Sequence, residues 1–83
     1  MPDAKQTVDA ESVIRDAIHA LLERRGAAHL TVRPDSRITA ELEFDSLELA
    51  ELSQILEDEL GRDPYSEGII PDTVAELVGF YRG

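Results

Sequence analysis

Apolar residues along the chain fall into three helical stripes. In DAESVIRDAIHALLERRG, Asp9 to Gly26, residues Ile14, Ala17, Ile18, Leu21 and Leu22 recur at i, i+3, i+4, i+7 and i+8. That spacing predicts one buried helical face. Asp9 can cap the start, and Glu11 complements the positive end of the helix dipole. Arg24 and Arg25 complement the negative end, and Gly26 can take the left-handed exit conformation. The second stripe predicts a helix from Ser46 to Leu60, about 22 Å long, with Gly61 as its exit. Leu49, Leu52, Ser53, Leu56 and Leu60 share one face and read as core. Leu47, Ala50, Glu51, Gln54 and Asp58 share another and read as surface, with Ile55 between them. A single exposed leucine at 47 is ordinary by itself. The third stripe, Val74, Leu77, Val78 and Tyr81, follows Thr73-x-x-Glu76, a capping-box spacing.

The connections are less uniform. Gly26 to Asp45 is a twenty-residue stretch, GAAHLTVRPDSRITAELEFD. A connection of that length in a compact domain is expected to be functional or partly ordered. Leu30, Val32, Ile38, Leu42 and Phe44 are apolar enough to pin it to a core, and RPDSR reads as a turn. In RDPYSEG, Asp63 can cap and Pro64 suits a first helical position, which predicts one short helix. Met1 to Val8 reads as a flexible tail, and residues 9–83 as one domain. The expected fold is all-α: a small four-helix bundle of three main helices plus one short helix, with a long loop after the first. No run shows strand alternation, and there is no internal repeat or low-complexity segment.

Composition narrows this picture. With 83 residues, 42% hydrophobic, the chain can build one modest core but not a walled catalytic cavity. It has no cysteine, so neither disulfides nor thiolate metal sites are available. No apolar run approaches the roughly 20 residues of a membrane span. The start, MPDAKQTVDAES, has no apolar segment of a secretory signal, so a cytoplasmic location without membrane contact is expected. The net charge of −10 opposes phosphate backbones and argues against a nucleic-acid partner. Between Ile38 and Gly61 there are eight acidic residues and no Lys or Arg. That run reads either as a solvated acidic face or as a docking surface for basic partners.

The chain offers little of its own for catalysis. His19 lies within the first helix and His29 in the connection, and neither is flanked by an evident nucleophile and orienting acid. The carboxylates near Asp45 lack the spacing of a calcium loop, and no Gly-rich phosphate cradle is present. No catalytic residue and no metal site are expected. The residue that stands out is Ser46, at the tip of the most acidic helix. A serine there is first of all a helix cap worth about 1 kcal/mol. Yet Asp45 already offers a capping side chain one residue earlier. A phosphodiester on Ser46 would meet free backbone N–H groups and the positive dipole end.

The segment LEFDSLELAELSQILEDELG, Leu42 to Gly61, resembles the central segment of acyl carrier and peptidyl carrier proteins. These carry Asp-Ser-Leu at the start of their second helix. The resemblance extends over Ala10 to Tyr81: a first helix closed by glycine, a long loop containing RPDS, an acidic second helix, a short third and a capped fourth. It implies a 4′-phosphopantetheine arm on Ser46, derived from coenzyme A, with Asp45 as the preceding acidic residue. It also implies a partner-binding surface of Leu47, Glu48, Ala50, Glu51 and Gln54, with Glu57 and Asp58 extending the acidic patch. The partners implied are a phosphopantetheinyl transferase and an acyltransferase, ketosynthase or adenylating ligase, and the carrier itself would be a non-catalytic monomer. One departure lies just before the motif, where family members usually carry glycine and this chain reads Glu43-Phe44. GRDPYSEGIIPDTVAELVGFY is more similar to free-standing carriers of polyketide or nonribosomal assembly than to those of fatty acid synthesis, the alternative pathway. The competing readings are an unmodified acidic docking adaptor and a small hydrolase using Ser46.

Overall fold

The computed structural model describes residues 9–82, so the tail read at Met1 to Val8 lies outside the described residues. Three α-helices form: α1, Ala10–Arg24; α2, Ser46–Leu60; and α3, Val74–Arg82. Helix α1 packs against both of the others. No helix among the described residues is long and apolar enough to cross a membrane.

Each helix is bounded by the local chemistry its ends require. The Asp9 carboxylate accepts from the Glu11 amide at 3.3 Å, and Gly26 leaves α1 at φ +78°. Gly61 closes α2 at φ +83°, its amide bonded to the Glu57 carbonyl at 2.9 Å. At α3 the Thr73 hydroxyl accepts from the Glu76 amide at 3.1 Å, while the Glu76 carboxylate accepts from the Asp72 amide at 2.7 Å.

The predicted stripe of α1 is the buried one: Ile14, Ala17, Ile18, Leu21 and Leu22 all lie in the core. On α2 the burial concentrates in Leu52 and Leu56, with Leu49, Ser53 and Leu60 half-buried at its margins. Helix α3 contributes Val74, Leu77 and Val78.

The residues between α1 and α2 are fastened rather than free. Ile38, Leu42 and Phe44 are buried, and Leu30 and Val32 pack against the core. The Ile38 amide donates to the Asp72 carbonyl at 2.9 Å and the Val74 amide to the Ser36 carbonyl at 3.0 Å. An isolated bridge, Arg37 to Thr73, thereby ties this connection to the start of α3.

The expected short helix is a single 3-10 turn, Tyr65–Glu67, so the described residues hold three α-helices. The reason is local. Asp63 accepts from the Ser66 amide at 3.0 Å and from the Ser66 hydroxyl at 2.5 Å, which tightens the turn. Gly68, at φ +81°, then ends it after three residues. Asp63 is also bound by the Ser53 hydroxyl of α2 at 2.8 Å. Burial pushes the Asp63 carboxyl up, but the hydrogen bonds from Ser66, Ser53 and the Tyr65 amide outweigh it and hold the group below its ordinary value. The buried Tyr65 phenol, beside that charge, is pushed up to about 12 and has no hydrogen-bond partner among the described residues.

Candidate functional site at the start of the second helix

Asp45, not Ser46, is the N-cap of α2. Its carboxylate accepts from the Glu48 amide at 2.8 Å, and the Glu48 carboxylate accepts from the Asp45 amide at 3.2 Å, a complete capping box. Two donors at the helix start are thereby satisfied reciprocally. Ser46 is left at the first helical position, exposed and without a capping task.

The consequence shows when the five serines are compared. The Ser12 hydroxyl donates to Asp9, that of Ser36 accepts from the Arg33 amide, and those of Ser53 and Ser66 donate to Asp63. The Ser46 hydroxyl alone has no hydrogen-bond partner among the described residues. The Ser46 and Leu47 amides likewise have no protein acceptor there. These amides lie at the positive end of a 15-residue helix dipole, where a group of negative charge on the Ser46 oxygen is stabilised.

Around Ser46 the surface is mixed rather than uniformly acidic. Leu47, next to Ser46, is 67% exposed. Ala50 and Gln54 are exposed, and Glu51 is half-exposed. Glu51 pairs with Arg24, and Glu48 pairs with Arg25 at 3.3 Å. The Glu48 side chain is only 14% exposed, because the capping box and Arg25 both hold it against the protein. Leu21, Arg24, Arg25, Asp45, Leu47 and Glu51 line an open cleft of about 350 Å³ here, together with Glu48.

Arg24 and Arg25 were not legible as parts of this site. In the sequence they read as cations closing α1, and their contacts with Glu51 and Glu48 span 27 and 23 residues. Only the packing of α1 on α2 brings them together. Arg25 also donates to the Glu43 carbonyl at 2.9 Å and to the Leu42 carbonyl, and its guanidinium lies 5.6 Å from the centre of the Phe44 ring. Glu43 has φ +59°, the left-handed backbone that favours glycine.

His19 and His29 are exposed, and neither is hydrogen-bonded to Ser46. Among the described residues no group of three or more His, Asp or Glu side chains is arranged to hold a metal ion. No family model matches the chain, and no curated protein or solved structure is significantly similar to it.

Proposed function

We propose that the chain is a carrier protein that holds an acyl or aminoacyl group as a thioester on a 4′-phosphopantetheine arm attached to Ser46. The observation behind this reading is that, of the five serines, only Ser46 has a hydroxyl without a hydrogen-bond partner among the described residues, at an exposed helix start inside Asp45-Ser46-Leu47. The fold then reads as a carrier bundle of four helices whose third member is the turn Tyr65–Glu67.

The chain's own residues prepare the position and leave the chemistry to partners. Asp45 takes over capping, so the Ser46 oxygen is available as the acceptor of the phosphoryl group. The Ser46 oxygen forms the new bond to the phosphorus that bears the pantetheine of coenzyme A, the pyrophosphate bond breaks and adenosine 3′,5′-bisphosphate leaves. The transferase takes the hydroxyl proton, because the neighbouring Asp45 and Glu48 carboxylates are engaged in the capping box. The Ser46 and Leu47 amides and the helix dipole stabilise the resulting phosphodiester. When attached, the arm supplies the thiol that holds the cargo, and tethering replaces repeated diffusive capture. Leu47 gives partners an apolar contact, with Ala50, Glu51 and Gln54 around it. Glu48 contributes mainly by holding the helix start. The pathway proposed is polyketide or nonribosomal assembly by a cytoplasmic, monomeric carrier.

The test is intact mass after incubation with coenzyme A and a phosphopantetheinyl transferase of broad specificity. The wild type should gain one arm, and Ser46→Ala should gain none while remaining helical. A wild type that stays unmodified overturns the carrier reading and leaves the docking adaptor.

A further inference from the structure

We infer that Arg25 is the positioning residue for Ser46: its guanidinium grips the strained turn before α2 and the capping box together, and so fixes how the serine is presented. The inference rests on the carrier reading. Arg25 belongs to the end of α1, not to the site's own helix. Its side chain nevertheless bonds the carbonyls of Leu42 and Glu43, lies over the Phe44 ring and pairs with Glu48.

The turn it grips is one the backbone resists. Leu42 and Phe44 are both buried, and Glu43 between them is exposed. Glu43 is the only non-glycine residue with positive φ among the described residues. Such a conformation persists where its surroundings over-determine it. Arg25 supplies that determination through two neighbouring carbonyls, which a planar guanidinium can bind at once. Its second task follows from Glu48, whose Oε1 accepts from both the Asp45 amide and Arg25. Ser46 comes three residues after Glu43 and one after the cap, so one side chain touches both the turn, where the Leu42 and Phe44 amides are also bonded to the Arg37 and Ile38 carbonyls, and the capping box.

The experiment is a cycle of Arg25→Ala, Glu43→Gly and the double variant, with Arg25→Lys alongside. It is read by transferase kinetics and by amide hydrogen exchange at Leu42 and Phe44. Glycine adopts the left-handed turn unaided, so the need for the grip should fall in its presence. Loss of the grip lowers the population of the presented conformer, which raises KM for the carrier while kcat is kept. Arg25→Ala should raise KM about tenfold, with kcat within about twofold, and speed exchange at both amides about tenfold. In the Glu43→Gly background the same change should raise KM and exchange by about threefold or less. Arg25→Lys keeps a charge near Glu48 but cannot bind both carbonyls in plane, so it should behave as Arg25→Ala.

Equal effects of Arg25→Ala in both backgrounds overturn the inference, as does full function in Arg25→Lys or a fall in kcat at unchanged KM. Should wild type not be modified at all, the carrier reading fails by itself. The exchange cycle then decides the grip: coupling between positions 25 and 43 upholds it, and additivity refutes it.

Discussion

The two ends of α2 are equally acidic in sequence but differ in what answers their charge. At the front, the Asp45 carboxylate caps the helix, Glu48 meets Arg25, and Glu51 meets Arg24. At the back, Glu57, Asp58 and Glu59 are exposed in the last turn, which has no basic residue. Acidic groups favour the positive end of a helix and oppose the negative end. The front is therefore electrostatically settled, whereas the back is held by other means: the left-handed Gly61 and the link from Ser53 through Asp63 to Ser66. One run of like charge thus contains an organised site and a frustrated terminus.

The largest test of this contrast is packing. Leu56→Ala, at the fully buried back of α2, should cost about 2–5 kcal/mol in urea unfolding. Leu47→Ala, at the exposed front, should cost about 0.5 kcal/mol or less. Comparable losses would mean that Leu47 is not surface.

Capping separates neighbours in the same way. Asp45→Ala should lose about 1–2 kcal/mol. Ser46→Ala should lose only a few tenths, roughly, less than a serine cap would give, because Asp45 holds the capping amide. Equal losses would return the cap to Ser46.

The Asp63 link that secures the back of α2 predicts a pH dependence. The folded group lies below its ordinary value of 3.8, so the unfolded chain binds the proton more readily. Its contribution is present above about pH 4 and is lost as pH falls through the depressed folded value. Ser66→Ala should lower stability at neutral pH and move the Asp63 titration upward by NMR. An unmoved Asp63 titration would show that the Ser66 bonds do not hold it down.

The smallest expected effect is the most diagnostic of the contrast. Glu51→Arg removes the Arg24 partner and sets two cations together, and should cost about 0.5 kcal/mol. Glu59→Lys relieves the negative end and should gain about 0.3–1 kcal/mol. The same reversal of charge should therefore change stability in opposite directions. Under the proposed function it should also divide in activity. Glu51→Arg should slow transfer from a cognate loading enzyme at low salt, with the gap closing as salt rises, while Glu59→Lys stays near wild type.

Much of the fold was legible because it is written locally. The bounds Ser46 to Leu60 follow from the 3.6-residue stripe and Gly61, and the five core residues of α1 from their spacing. The caps at Asp9 and Thr73 were equally readable. At the short third element, Asp63-Pro64 announces a start but not a helix type: the Asp63–Ser66 bonds tighten the turn to 3-10 and Gly68 stops it after three residues. At the site, Ser46 and Leu47 stand out from motif and face. The roles of Arg24 and Arg25 do not, because each depends on contacts between α1 and α2 across more than twenty residues. The left-handed backbone at Glu43 was hidden for a related reason: the residue type opposes it, and a distant arginine supports it.

The central claim is that Ser46 is the attachment point, and fragment-ion mapping after treatment with coenzyme A and transferase addresses it most directly. The account predicts a single arm on Ser46, with Ser12, Ser36, Ser53 and Ser66 unmodified, since their hydroxyls are already engaged. An arm on any of those four, or no arm at all, would contradict it.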